Sequence, residues 1–78
     1  MPKYDPLAAY LRRHGREELF LSFRDIERIV GGILPKASRS ETWWAADGDA
    51  PQSRAWSSVG FEPQVDFRTE TVRFIRKA

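Results

Sequence analysis

The chain has 78 residues and carries 13 lysine and arginine residues against 11 aspartate and glutamate residues, a formal net charge of +2. With 41% hydrophobic and 31% charged residues it is too apolar for an intrinsically disordered protein, and its length suits one small domain over residues 1–78. The absence of cysteine excludes disulfides, zinc sites with cysteine ligands and thiol catalysis. The sequence has no apolar run of the roughly 18 residues that a transmembrane helix needs, and no secretory signal, so we expect a cytoplasmic protein without a membrane partner.

The first predicted element is a helix that begins after Asp5 and ends before Gly15. Asp5 suits the N-cap, Pro6 the first helical position and Gly15 the residue just past the end. One apolar stripe at helical spacing places the single histidine on the buried side of this helix: Leu7, Tyr10, Leu11 and His14. The segment 1–16 is basic, with a local net charge of +3 from Lys3, Arg12, Arg13 and Arg16 against Asp5.

The second predicted helix has a sharper N-terminal signal. Ser22 and Asp25 fit a capping box, in which the serine side chain and the acidic side chain three residues later satisfy each other's backbone N–H groups. Leu21 and Ile26 are the two halves of a hydrophobic staple, and Gly31 ends the helix. Residues 19–21, just before it, predict a brief strand.

Two further helices and a hairpin are predicted downstream. A second capping pattern at residues 38–41 predicts a helix of about two turns over residues 39–46, and another helix covers residues 52–59 before Gly60. Alternating apolar and polar side chains on both sides of a polar tip at residues 68–71 predict a C-terminal antiparallel hairpin. Three to four helices closed by a C-terminal β-hairpin make an α+β fold that resembles a winged helix-turn-helix domain.

Few residues suggest catalysis or metal binding. Acyl transfer needs a nucleophile, a base and an orienting group, and His14, the single imidazole, lies at a helix C-terminus where a cation is favourable. Residues 31–32 follow a helix and lack the lysine of a phosphate-binding loop, and residues 47–49 offer too few oxygen ligands for a calcium loop. We therefore expect a binding module with no cofactor and no metal rather than an enzyme.

The helix over residues 52–59 favours nucleic-acid binding, with duplex DNA as the expected partner. Its apolar residues face the core, and four polar residues are predicted to face a DNA groove: Gln52, Ser53, Arg54 and Ser57. Gln and Arg pair bidentately with adenine and guanine edges, and small serines allow close approach. Four further basic residues are predicted to contact phosphates: Lys36, Arg39, Arg68 and Arg73. A protein that reads a palindrome would be a homodimer, and the sequence leaves the oligomeric state open.

The adjacent Trp43 and Trp44 support an alternative. Neighbouring helical residues point about 100° apart, so one core does not easily bury both rings. One ring is expected in the core with Tyr10, Phe23 and Trp56, and the other partly exposed, where it stacks on a base or contacts a protein. A short helix lying in a groove would instead place both rings at the rim of the core. The alternative function is a protein–protein interaction module, a regulator or antitoxin-like partner, that docks through the exposed tryptophan.

Several motifs together resemble one family over almost the whole chain. They are Tyr4-x-Pro6-Leu7-x-x-Tyr10-Leu11, Leu21-Ser22-Phe23-x-x-Ile26-Glu27, Leu34-Pro35, Trp43-Trp44, Ala55-Trp56-x-x-x-Gly60-Phe61 and Val65-Asp66-Phe67 followed by Val72-x-Phe74. In these motifs the chain resembles a family of short, uncharacterised bacterial and phage proteins. The resemblance implies a compact stand-alone domain and carries no established activity.

Overall fold

A computed structural model describes residues 3–45 and 48–77 of the chain. These residues form three α-helices, α1 (Asp5–His14), α2 (Phe23–Val30) and α3 (Pro51–Ser57). Three strands, β1 (Glu18–Ser22), β2 (Phe61–Asp66) and β3 (Thr71–Arg76), form one antiparallel sheet in the order β1-β3-β2. Two 3₁₀ turns, Lys36–Arg39 and Glu41–Trp44, lie between α2 and α3. The predicted α+β class is confirmed.

Helix α1 ends before Gly15 as predicted, but it begins one residue earlier than predicted. Tyr4 rather than Asp5 precedes the helix, and its side chain makes no capping hydrogen bond. Leu7 and Leu11 are buried as predicted, whereas His14 is exposed and lies against the ring of Tyr10, with 4.4 Å between ring centroids. The prediction that His14 lies on the buried side is wrong. His14 is the last residue of α1 and lies beyond the part of the helix that packs against the core.

Helix α2 confirms the capping box. The Ser22 hydroxyl accepts a hydrogen bond from the Asp25 backbone N–H at 3.0 Å, and the Asp25 carboxylate accepts one from the Ser22 backbone N–H at 3.1 Å. The bond from the Ser22 N–H stabilises the ionised carboxylate and so lowers the pKa of the Asp25 carboxyl from its ordinary value. At the other end Gly31 has a φ of 75°, the left-handed conformation that favours glycine after a helix.

Replacement of the Ser22 cap by alanine is expected to lower the free energy of unfolding by about 1 kcal/mol, because the N–H of Asp25 loses its acceptor. Urea unfolding followed by circular dichroism measures the change. Ser57→Ala is the control, since Ser57 is exposed and its side chain makes no hydrogen bond within the described residues. Equal stabilities of the two variants would contradict the capping assignment.

The C-terminal hairpin is longer than predicted and is joined by a third strand. Strand β2 begins at Phe61. Its first half was not predicted because Pro63 interrupts the alternation of apolar and polar residues that is typical of a strand. A proline is tolerated there because β2 is an edge strand and need not donate on its outer side. The brief strand predicted at residues 19–21 is β1, which pairs with β3 so that Leu21 lies opposite Val72.

The helix predicted over residues 39–46 is wrong in the part that the structure describes, where the backbone forms the two 3₁₀ turns; Ala46 lies outside the described residues. The Ser38 hydroxyl donates to the carbonyl of Pro35 at 2.6 Å instead of capping a following helix. The carbonyl of Ser38 accepts the indole N–H of Trp44 at 2.8 Å. The backbone instead bonds in the 3₁₀ pattern, in which the Trp43 N–H donates to the Ser40 carbonyl at 3.1 Å.

The core lies between the helices and the inner face of the sheet. Its buried apolar members come from every α-helix and strand and from the second 3₁₀ turn: Leu7, Leu11, Leu21, Phe23, Ile26, Trp44, Trp56, Phe61, Val72 and Phe74. Within residues 3–45 and 48–77, no helix is both long and apolar enough to cross a bilayer.

Candidate nucleic-acid interface

Helix α3 directs two of its four predicted DNA contacts inward. Gln52 and Ser53 are buried, with 8% and 1% of their surfaces exposed. The Gln52 side-chain amide donates to the carbonyl of Trp43 at 3.2 Å, and the Ser53 hydroxyl donates to the carbonyl of Ala45 at 2.8 Å. The carbonyls at the end of a 3₁₀ turn lack hydrogen-bond donors within the turn, and these two side chains act as the donors. The prediction that Gln52 and Ser53 face a groove is therefore wrong.

The outward side of α3 carries Arg54 and Ser57, both exposed as predicted. Arg54 lines a shallow groove of about 390 Å³ between α1 and α3, together with Asp5 and Asp49. One guanidinium thus lies beside two carboxylates. The groove itself offers no net attraction to a phosphate, so a contact from Arg54 would be made by a side chain that reaches outward.

The tip of the hairpin, residues 67–70, is held against the start of α2. The Asp66 carboxylate accepts the backbone N–H of Arg68 at 2.9 Å and closes the turn. Phe67 packs edge-on against Phe23 at 6.3 Å between centroids, and the Phe23 N–H donates to the Glu70 carbonyl at 2.8 Å. This anchoring holds the backbone of the tip in place and leaves the Arg68 side chain exposed.

Lys36 and Arg39 lie in the first 3₁₀ turn and are exposed. The Arg39 guanidinium is 3.2 Å from the Glu70 carboxylate, which joins this turn to the hairpin tip. The ion pair is open to solvent on both sides, and such pairs contribute only about 0–1 kcal/mol. Arg39 can therefore exchange its carboxylate for a phosphate at little cost.

Arg73 is separated from the other predicted contacts. It lies in the middle of β3 on the outer face of the sheet. Its Nη2 is 2.6 Å from a carboxylate oxygen of Glu18, and its Cζ lies over the Phe20 ring, 6.0 Å from the ring centroid. The same face carries Glu62 and Asp66 by strand alternation. Arg73 thus belongs to a cross-strand charge network on a face with more acids than bases.

The remaining predicted residues lie along one series of contacting elements, which we call the α3–tip face: α3, the two 3₁₀ turns and the hairpin tip. The second 3₁₀ turn packs against α3, the first packs against the second, and Arg39 reaches the tip. The exposed charges of this face within the described residues are net positive, four basic against two acidic: Lys36, Arg39, Arg54 and Arg68 against Glu41 and Glu70.

The Trp pair is divided between the core and its edge. Trp44 is 3% exposed and stacks between Phe23 and Trp56, with 5.6 Å to each ring centroid. Trp43 is half-buried and packs edge-on against Tyr4 at 5.8 Å and Trp44 at 4.7 Å. Trp44 is therefore the ring in the core, and Trp43 lies at its edge.

A second basic surface lies at the other end of the sheet. We call it the basic end; it comprises Arg12, Arg13, Arg16, Arg76 and Lys77, all exposed. The Arg76 guanidinium donates from Nε to the carbonyl of Arg16 at 2.7 Å and from Nη2 to the carbonyl of Gly15 at 3.2 Å. These bonds join the basic C-terminus of α1 to the basic end of β3. The two short basic runs were visible in the sequence, but their union depends on the pairing of β1 with β3.

Comparison with known families decides what kind of chain this is. Residues 4–78 match the family described as Domain of unknown function (DUF7662). The chain belongs to this family. No curated protein and no solved structure matches it.

The chemistry open to this DUF7662 domain depends on its exposed side chains. Within residues 3–45 and 48–77 no three histidine, aspartate or glutamate side chains are close enough to hold a metal ion. The groups that the site does present are guanidinium and ammonium donors and the Ser57 hydroxyl on α3. Such donors recognise phosphates and base edges.

Proposed function

We propose that this protein binds duplex DNA as a winged helix-turn-helix domain, with α3 as its recognition helix. The observation that carries the proposal is the order of the elements: helix, strand, two helices and a hairpin whose last strand lies between the other two. In helix-turn-helix proteins the second helix of the motif enters the major groove. Here that helix would be α3, which directly precedes the hairpin that forms the wing.

The contacts that we assign are fewer than the sequence predicted. Arg54 and Ser57 point away from the core and would lie toward the groove, while Lys36, Arg39 and Arg68 would contact phosphates on either side. Gln52 and Ser53 form hydrogen bonds inside the domain and would make no contact with DNA, and Arg73 lies on another face.

The short α3 limits what this interface can read. Its seven residues extend about 10 Å, and only two outward side chains with polar ends come from it. One arginine pairs bidentately with one guanine, so sequence preference would rest on a single position while phosphate contacts supply most of the affinity. We therefore propose a binder of duplex DNA with modest sequence preference.

A salt titration of duplex binding tests the proposal. Fluorescence anisotropy of a labelled duplex, measured from low to moderate salt, should show a steep loss of affinity. Arg54→Ala should weaken binding by about 1–3 kcal/mol, and Arg68→Ala should lower the slope of log affinity against log salt by about 1.

Arg28→Ala is the matched control. Arg28 is exposed on α2, lies outside the α3–tip face and has only a 4.0 Å ion pair with Asp25. The Arg28→Ala variant should bind DNA nearly as well as the unaltered protein. Absence of binding at low salt, or an Arg54→Ala variant that binds as well as the control, would overturn the proposed interface.

A further inference from the structure

The basic end has no role in the interface proposed above, and it is more positive than that interface. Its five basic side chains and the neighbouring exposed Glu17 have a net charge of +4, whereas the four basic and two acidic side chains of the α3–tip face have a net charge of +2. Glu18, the next residue, is already engaged by Arg73 at 2.6 Å. Most of the attraction that a polyanion would feel therefore comes from the basic end.

The two surfaces lie at opposite ends of the hairpin. The β2–β3 pair runs from Phe61 opposite Arg76 to Asp66 opposite Thr71, and the tip follows the latter. Five steps along a strand cover roughly 17 Å, which is close to the width of a DNA duplex. The basic end and the tip are therefore separated by about the width of one duplex, which leaves room for a second duplex at the basic end.

The basic end is built to hold a guanidinium in place. Arg76 packs over the buried ring of Phe61, 4.8 Å from its centroid, and two of its N–H groups donate to the carbonyls of Gly15 and Arg16. A guanidinium has five N–H donors, so three remain for a ligand. Since the side chain is already ordered, less conformational entropy is lost when it binds an anion.

The composition of the basic end favours phosphates over an acidic protein surface. Four of its five basic residues are arginines, whose planar donors match phosphate oxygens. A protein interface usually needs an apolar anchor, and the large apolar side chains exposed among the described residues are Phe20 and Ile33, neither of which belongs to the basic end.

We propose that the basic end binds the phosphate backbone of a second DNA duplex, so that one molecule bridges two duplex segments. The inference rests on the proposed DNA binding by the α3–tip face, and it adds a second, sequence-independent site. The bridged segments would be two duplexes in solution or two distant stretches of one long duplex.

A capture experiment tests this. A biotinylated duplex is fixed on beads, the protein is added, and retention of a second, fluorescent duplex is measured. The unaltered protein should retain it, and Arg12→Gln with Arg13→Gln should reduce retention at least tenfold while first-duplex binding falls much less. Glutamine keeps a good helix former in α1, and circular dichroism checks the fold.

The matched control is Lys3→Gln with Arg28→Gln, which removes the same charge from exposed positions outside both surfaces. It should retain the second duplex.

If the unaltered protein binds one duplex but retains no second one, or if the Arg12 and Arg13 variant still bridges, the inference is wrong and the proposed function stands. If no duplex binds at low salt, both are wrong. If the Arg12 and Arg13 variant loses the first duplex and Arg54→Ala does not, the basic end is the single binding surface and bridging is excluded.

Discussion

Trp44→Ala is expected to lower the free energy of unfolding by about 3–5 kcal/mol, enough to leave a domain of this size largely unfolded at moderate temperature. Trp44 is 3% exposed and stacks on Phe23 and Trp56, with interplanar angles of 16° and 13°. Its removal would open a cavity in the middle of the aromatic core. Urea unfolding followed by far-ultraviolet circular dichroism gives the change.

Two variants make the result specific. Trp43→Ala removes a neighbouring ring of the same size that is only half-buried, and should cost about 1–2 kcal/mol. Trp44→Phe keeps most of the stack but loses the indole N–H that binds the Ser38 carbonyl at 2.8 Å, and should cost about 1–3 kcal/mol. A larger loss for Trp43→Ala than for Trp44→Ala would contradict the assignment of Trp44 to the core.

Gly15→Ala is expected to destabilise the domain by about 1–3 kcal/mol through overpacking. A methyl group at this position would lie 2.5 Å from Cζ of Phe61 and 2.6 Å from the carbonyl oxygen of Leu11. Phe61 is fully buried, and the Leu11 carbonyl accepts the Gly15 N–H at 2.8 Å, so neither neighbour can move without further loss. The backbone φ of −77° suits any residue, which makes the effect steric.

Gly32→Ala is the control for this prediction. The nearest atom to a methyl group there is Cε of Lys3 at 3.9 Å, an ordinary contact. Its free energy of unfolding should change by less than about 0.5 kcal/mol. Thermal unfolding of both variants measures the difference, and a Gly15→Ala variant as stable as Gly32→Ala would refute the close packing of β2 against the end of α1.

The local parts of the fold were predictable because they depend on neighbours in the chain. The Ser22–Asp25 capping box spans four residues, and Gly31 ends α2 through its own backbone conformation. The failure over residues 39–46 has the opposite cause. The pattern at residues 38–41 is a good helix start, but the segment is shaped by the burial of Trp44 in the aromatic core, and the Trp44 indole N–H bonds back to the Ser38 carbonyl six residues away.

The candidate site shows the same division. That α3 has an outward polar side was predictable from its apolar spacing, and Arg54 and Ser57 lie there. Gln52 and Ser53 have the same polar character, yet they bind the carbonyls of Trp43 and Ala45. Polarity alone does not distinguish a side chain that meets solvent from one that satisfies a buried carbonyl, because both environments supply hydrogen-bond partners.

The composition of the 78 residues and the net charge of +2 indicated the class of protein, but they did not indicate where in the fold the charged residues lie. By itself the sequence determined a small α+β chain, the capped α2, the aromatic core and the lack of cysteine chemistry, since these follow from residue type and short-range spacing. Only the tertiary structure decided which tryptophan is buried and where the charges gather. The insertion of β3 between β1 and β2 brings residues 12–16 to residues 76–77, some sixty positions along the chain. Strand pairing of this kind is set by the packing of the whole domain, and no local pattern encodes it.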